Sequence, residues 1–396
     1  MLVAIDAIGI RGHGGAAVLC ELLHWLPQLR PDWKWHVFLF ERDLREFDEP
    51  PVSESVTLEH VRKGDSGIGR LYWVNHDLKK RIAAIKPSAC LSLANIGPHK
   101  PCTPHVVFVH QSNAFFNTGL PMWALFKRMR LLFMRRQILK GAAASHAVIV
   151  QTDAMREEMI SYAPSLRERI HVIPSGYRTP GKVNEIRLEK KMLIDRAPRP
   201  RIIYVSHPST HKNHITLLKA WSHIRGELPN ASLLLTLEPS LYNSSRKTEK
   251  MYNLFLKPIL DYEKNISKPD NIAWLGFLNA DEVHYALSSS DLMVFPSLAE
   301  SFGLGLAEAM YAKCPIIAAD LPYAHDVTGE AAVYFDPHDP LAIADAAIEV
   351  LKSNPTVHHL ISAGIEKSRQ YSYHEISKQI ITVLERSVYP SKDSGL

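Results

Sequence analysis

The chain has 396 residues, 46% hydrophobic and 22% charged, with a formal net charge of +5. Such a length suits two domains of about 200 residues, and the apolar content supplies two full cores, which excludes wholesale disorder. The positive surplus is compatible with phosphate ligands or an anionic membrane surface and is too modest to argue for nucleic acid. Cys20, Cys90, Cys102 and Cys314 lie far apart with no CxxC pair, the usage of reduced thiols in a cytosolic protein. Asp6 and Arg11 interrupt the apolar start, so no signal peptide fits, and no run reaches the ~18 apolar residues of a spanning helix. The expectation is a cytoplasmic protein whose contact with a membrane, if any, is peripheral.

Leu2 to Asp6 reads as a short strand and Ile8 to Gly15 (IGIRGHGG) as a glycine-rich loop. A helix follows over Ala16 to Leu29, with Val18, Leu19, Leu22, Leu23 and Leu26 at helical spacing, and then a strand, Trp35 to Phe40. Gly12, Gly14 and Ala17 also fit a G-x-G-x-x-A fingerprint, with Glu41 ending the second strand, so an NAD-dependent oxidoreductase is an alternative. Against it, Glu41 lies 29 residues beyond Gly12, where about 20 are expected. Residues 42–75 are polar and read as irregular, and Ile82 to Leu93 continues the βα alternation. His105 to Val109 is a strand that ends in His110; a histidine there either faces a cleft or bonds a neighbouring carbonyl. The helix Trp123 to Lys140 carries Lys127, Arg128, Arg130, Arg135, Arg136 and Lys140 and no acid. Its cations and its apolar residues (Phe126, Met129, Leu132, Phe133, Ile138) both spread round the wheel, so a packed helix with snorkelling arginines competes with an interfacial one. His146 to Val150 is a strand, Thr152 starts a helix, and His171 to Gly176 closes the first half. Residues 177–198 are charged and end in two prolines, as a linker would.

The alternation restarts with a strand over Arg201 to Val205, the loop Ser206 to His214 (SHPSTHKNH) and a helix through Trp221. Lys212 stands at the carboxyl end of that strand just ahead of a helix, where a cation and a helix N-terminus together neutralise a diphosphate. His207, His211 and His214 suggest zinc, but no cysteine or carboxylate completes the set. Ser232 to Thr236 is a strand, Tyr242 to Tyr262 a long helix and Asn271 to Leu275 a strand, after which Asp281 opens a helix as an N-cap. Residues 291–318, DLMVFPSLAESFGLGLAEAMYAKCPIIA, then read as strand, glycine-bearing turn, helix and strand. The helix starts at Ser301–Gly303, so the amides of Ser301, Phe302, Gly303 and Leu304 face the carboxyl edge as an anion site, with Glu300 just ahead of them. Glu308 falls on the side of the helix that should carry apolar contacts. A carboxylate there needs donors, which the ribose hydroxyls of a nucleotide on the same helix supply. A last helix, Glu375 to Tyr389, follows Tyr371–Tyr373.

The step from Glu300 to Glu308 inside PSxxESFGLGLAEAM resembles the Glu-x7-Glu motif of glycosyltransferase family 4, the group 1 glycosyltransferases. Residues 146–153, 171–176, 274–283 and 320–339 are similar to further landmarks of that family, with His146 and Asp326 departing from its usual residues. The resemblance implies a GT-B fold. Two Rossmann-like β/α/β domains face each other across a cleft: 1–176 on the acceptor side, joined by a returning helix 374–390, and 199–373 for the donor. It implies an EC 2.4 transferase that moves a sugar, with retention, from a nucleotide-sugar donor to a glycan or lipid-linked acceptor. The setting would be bacterial surface polysaccharide assembly (O-antigen, capsule or exopolysaccharide) at the cytoplasmic side of the inner membrane. In this reading Glu300 and His110 contact the donor sugar, and Glu308 holds the ribose. Lys212 with Ser206, His207 and the amides of 301–304 holds the diphosphate, and Gly14 and Gly15 of the first loop face the donor phosphates. His207 stands where the family's commoner form has arginine. No D-x-D triplet occurs, so no metal and no other cofactor is expected. A nucleotide-sugar epimerase of the same fold is a second alternative, and a scaffold that binds without transferring a third.

Overall fold

Among the described residues, thirteen short strands, seven of them buried throughout, define two parallel sheets in the computed structural model. It describes residues 1–10, 12–40, 53–61, 67–116, 125–179, 186–237, 256–264 and 271–389. The chain divides into two units: Met1–Phe116, Met122–Gly176 and Tyr371–Leu396 form the first, and Tyr177–Gln370 belongs to the second.

The first unit holds β1 (Leu2–Asp6), β2 (Lys34–Phe40), β3 (Val56–Val61), β4 (Ala89–Ser92), β5 (His105–Phe108), β6 (Ala147–Val150) and β7 (Ile170–Val172). They are parallel in the order β3-β2-β1-β4-β5-β6-β7. Alternate residues feed opposite faces: Val3 and Ile5 pack on one side, and Ala4 and Phe38 meet Trp73 and Val74 on the other. Strand β3 lies in the stretch that reads as irregular. Val56 and Leu58 face one core and Val61 the other, which makes a half-buried edge strand that the surrounding polar residues obscure. The first helix, Gly12–Leu29, begins earlier than its apolar spacing suggests, so Gly14 and Gly15 lie in its first turn and not in the loop. A Cβ on Gly15 would sit 2.7 Å from Ile10 Cγ2, so the turn closes only with glycine there.

The helix Tyr373–Val388 returns to this unit, capped by Ser372. Ile376, Ile380 and Leu384 enter the same core as Val3, Leu19, Leu22 and Leu26. Trp25 meets His374 edge to face at 5.1 Å, and Arg30 pairs with Glu385.

The second unit holds β8 (Arg201–Tyr204), β9 (Ser232–Leu235), β10 (Ile272–Trp274), β11 (Leu292–Phe295), β12 (Ile316–Ala319) and β13 (Ala332–Phe335), in the order β10-β9-β8-β11-β12-β13. Two readings change here. Within the expected linker, residues 186–198 carry a helix, Leu188–Arg196, that belongs to this unit. Lys190 donates to the Leu275 carbonyl at 2.7 Å, and Arg187 forks onto the fully buried Glu282. The cap of the helix Ala280–Ser288 is Asn279 rather than Asp281, because Asn279 and Glu282 close a reciprocal capping box. Of the expected long helix Tyr242–Tyr262, only Lys257–Lys264 lies within the described helix; Trp123 and Glu41 fall outside the described residues.

Because the returning helix completes the core of the first unit, Leu384→Ala should cost about 2–5 kcal/mol of its stability. Urea unfolding followed by tryptophan fluorescence measures this; an unchanged midpoint would mean that the helix is not part of that core.

Candidate functional site

In the second unit the chain runs from β8 outward to β9 and β10, and from β11 the other way to β12 and β13. Strand order reverses between β8 and β11, the point at which open α/β sheets bind ligands at their carboxyl ends. The loops leaving these two strands carry Lys212 and Glu300. Lys212 sits on a 3-10 turn, Thr210–Lys212, and its ammonium pairs with the Glu300 carboxylate, both side chains largely buried. The two loops are laced together around the pair. Leu298 N donates to the His211 carbonyl at 2.7 Å, and Asn213, in the left-handed region at φ 57°, donates to the carbonyls of Pro296 (3.2 Å) and Pro337 (2.7 Å). The Tyr204 hydroxyl bonds the Lys212 carbonyl at 2.9 Å and Ser297 Oγ at 2.8 Å, and Tyr323 donates to the Ser297 carbonyl at 2.6 Å. Nearly every polar group behind the pair is therefore engaged, and the loops are held before any ligand arrives.

The helix Leu304–Tyr311 follows, with Gly303 in the left-handed region at φ 88° as its N-cap. Gly305 lets the helix close on β11: a Cβ there would meet Met293 Cε at 3.1 Å. The first bond in this turn is Leu306 N to the Gly303 carbonyl, so the amides of Leu304 and Gly305 remain open at the positive end of the helix. Phe302 is buried beneath the turn.

Glu308 lies one turn further on and is only partly exposed. Burial pushes its carboxyl up to about 7, while the charge of Arg178 pulls it back. No hydrogen-bond donor of the described residues reaches it. An acid desolvated this far with no protein donor is an exception to the usual pairing of buried polar groups.

The remaining residues of the SHPSTHKNH loop divide by role. Ser206 faces inward: its amide bonds Thr236 Oγ1 at 2.8 Å and its hydroxyl the His214 ring at 2.9 Å. His214 is buried, and its loss of hydration, with Lys212 nearby, lowers it to about 3, so it stays neutral. His207 is exposed.

The first unit has the same reversal between β1 and β4. Asp6, fully buried at the end of β1, accepts both terminal nitrogens of Arg70 (2.9 and 2.7 Å), Trp73 Nε1 (2.9 Å) and the Ser92 hydroxyl from the end of β4 (3.1 Å). Ser92 in turn bonds His105, whose burial lowers it to about 4. The Arg70 stem packs beside Gly9, which sits at φ 92°, so this cluster fixes the loop leading to Gly14 and Gly15. His110 follows β5. Its amide donates to Asn95 Oδ1 at 2.6 Å, its ring lies 4.1 Å from that of Phe108, and burial lowers it to about 4. The side-chain amide of Gln151 lies 3.1 Å from Nδ1 of the ring and fixes its orientation.

Two family models match the chain: Glycosyltransferase Family 4 over residues 13–179 and Glycosyl transferases group 1 over residues 187–367. The chain belongs to the group 1 glycosyltransferases of family 4. Its two parallel-sheet units have the GT-B fold. Among solved structures, this glycosyltransferase resembles a sucrose-phosphate synthase from Thermosynechococcus elongatus, with TM-score 0.72 and 16% identity over 98% of each chain. It also resembles a UDP-forming α,α-trehalose-phosphate synthase from Burkholderia vietnamiensis, with TM-score 0.72 and 13% identity over 99% of this chain and 98% of that one. Curated relatives match shorter stretches. An O-antigen chain mannosyltransferase B of Escherichia coli is 26% identical over 28% of this chain and 29% of its own length. For a phosphatidyl-myo-inositol mannosyltransferase of Mycobacterium leprae the figures are 32%, 29% and 32%. The chain thus spans about a third of the length of these curated relatives.

Sequence reasoning read Asp6 only as a break in an apolar run, although a charge closing a buried strand before a glycine loop was the available signal. Arg70 carried none, since it lies 64 positions away in a segment that looks irregular.

Glu308 makes the stability of the glycosyltransferase pH-dependent. Its folded value of about 7 exceeds the ordinary 4.5, so between those limits the folded protein binds more protons and stability falls as pH rises. Glu308→Gln should remove that slope and unfold later than the wild type above pH 7. Thermal unfolding from pH 5 to 8 reads the difference, and parallel curves for the two proteins would contradict it.

Proposed function

We propose that the protein transfers a sugar from a nucleoside diphosphate sugar to a saccharide acceptor, with retention of anomeric configuration. The observation that carries the reading is the partnerless Glu308 carboxylate, one turn along a helix whose first amides and adjoining Lys212 form an anion site. The diphosphate lies on the amides of Leu304 and Gly305 and on Lys212, and the ribose hydroxyls donate to Glu308. Ionised Glu308 accepts those bonds better than neutral Glu308, so donor binding releases a proton below pH 7. The diphosphate also gives Lys212 a second anion, leaving Glu300 to contact the donor sugar and to stabilise positive charge as the glycosidic bond breaks. Glu300 is not assigned as a covalent nucleophile. In this proposal His110 contacts the donor sugar, and Gly14 and Gly15 face the donor phosphates. Fixed protein charges carry the diphosphate, so no metal is required. A structural neighbour from Anabaena, with TM-score 0.67, is described in complex with UDP and glucose, which supports a nucleotide-sugar donor. The relatives' names support a role in bacterial surface polysaccharide or glycolipid assembly, with a glycan or lipid-linked acceptor. Glu41 of the NAD alternative lies outside the described residues, and family membership disfavours that reading.

Calorimetry with UDP-, GDP-, ADP- and dTDP-sugars tests the assignments. Lys212→Ala and Glu308→Ala should each weaken the preferred donor about 10- to 100-fold, the loss of a charged hydrogen bond. Glu300→Gln should spare binding and cut kcat by about 100-fold or more. Normal donor affinity in Glu308→Ala sinks the ribose assignment.

A finer reading concerns the helix Leu125–Ala144. Its buried residues are Ile138, Gly141 and Ala142, whereas Leu125, Phe126, Met129, Leu132 and Phe133 are all exposed, Phe126 at 90%. At about 100° per residue the exposed five fall within an arc of roughly 120°, flanked by Arg128 and Arg130. The exposed apolar residues are therefore segregated, unlike the even spread expected from the wheel, because Ile138 turns inward. No described helix is long and apolar enough to cross a membrane, so we infer docking on an anionic bilayer surface through this face. Phe126→Glu with Phe133→Glu should abolish flotation with phosphatidylglycerol vesicles while leaving donor affinity unchanged; retained flotation would exclude the face.

A further inference from the structure

His110 and Gln151 stand side by side at the carboxyl edge of the first sheet because the parallel register of β5 and β6 brings them there. Phe108 pairs with Ile149, and each of the two residues follows that pair by two positions. Gln151 is 2% exposed, and its backbone is held on both sides. Strand β6 precedes it, and Thr152 follows, whose hydroxyl caps the helix Asp153–Tyr162 by accepting from Met155 N at 3.2 Å. One end of the Gln151 amide lies 3.1 Å from His110 Nδ1, and the other end meets no hydrogen-bonding group of the described residues. Leaving a buried polar atom unpaired costs about 1–3 kcal/mol, so an apolar side chain of the same length would serve the fold at least as well. What the amide offers that an apolar chain cannot is its bond to the imidazole.

The ring needs that bond. The His110 backbone is anchored by its amide on Asn95 Oδ1 at 2.6 Å, and Asn95 is itself tied back by its own amide to the Phe108 carbonyl at 3.2 Å. Neither bond restrains rotation about the side chain's last torsion, which is broad for histidine. The tilted contact with the Phe108 ring, at 38°, limits where the imidazole lies and not which edge it turns outward. Among the described residues Gln151 is the one polar side chain bonded to the ring, and His110 remains partly exposed, within reach of a ligand. We propose that Gln151 is a positioning residue for sugar transfer, holding the His110 imidazole in the single rotation that turns Nε2 toward the open edge of the sheet. The inference rests on the contact between His110 and the donor sugar proposed above. Gln151, too deeply buried to touch a sugar, acts through the ring alone.

The test uses the full chain and follows turnover as release of nucleoside diphosphate from the preferred nucleotide sugar, and the His110 ring by its NMR resonances. Gln151→Met should keep the thermal midpoint and the affinity for the nucleoside diphosphate, which Lys212 and Glu308 hold in the other unit. Its turnover should fall about 10- to 100-fold, the loss expected when a reacting contact is misplaced, and the His110 ring resonances should shift. His110→Ala, alone and combined with Gln151→Met, closes a double-mutant cycle in which the combined loss should equal that of His110→Ala alone. Gln151→Leu repeats the measurement with a second apolar shape, should methionine not be accommodated. Additive losses in the cycle would overturn the proposal, as would wild-type turnover and ring resonances in Gln151→Met, or a lowered midpoint with unchanged turnover per folded molecule. A wild type that binds no nucleoside diphosphate would instead sink the donor reading, and unshifted ring resonances would still overturn this one.

Discussion

The ion pair between Lys212 and Glu300 is the constraint on which the donor half of the molecule rests. Each residue belongs to a loop that leaves the sheet at the reversal of strand order, so the pair ties β8 to β11 on the side where ligands bind. A largely buried ion pair contributes little net stability, because desolvation offsets most of the attraction. What it does here is hold each charge in place against the other. The bonds from Tyr204, Asn213 and Tyr323 fix the backbone behind both partners.

Glu308 presents the opposite arrangement. Lys212 and Glu300 satisfy each other, whereas Glu308 is left without a donor and titrates near neutrality in consequence. Folding thus carries a cost at one position, which is how functional sites commonly depart from optimal stability. The two carboxylates lie eight positions apart yet experience different environments, one neutralised by a lysine and one merely desolvated.

How much of this could be read beforehand varies along the chain. The strand–turn–helix–strand unit at 291–318 was legible almost to the residue, because period, glycine placement and an anomalous acid all coincide there. The pairing of Lys212 with Glu300 was not legible, since 88 residues separate them and no local pattern announces a contact between loops. Strand β3 and Arg70 were hidden for a related reason: an edge strand and a buried arginine both carry polar residues, and polarity reads as loop. The exposed face at 125–133 was averaged away by a wheel drawn over the whole helix, since only the structure shows that Ile138 points into the core.

The returning helix Tyr373–Val388 has a consequence for how the protein is made. Residues 177–370 form the second unit without it, but the core of the first lacks Ile376, Ile380 and Leu384 until residues 373–388 have left the ribosome. The unit synthesised first is therefore completed last, and its sheet waits with one apolar face uncovered while the second unit closes. Chaperone dependence and sensitivity to premature termination should accordingly concentrate in the amino-terminal half, although its sequence is finished long before the other's.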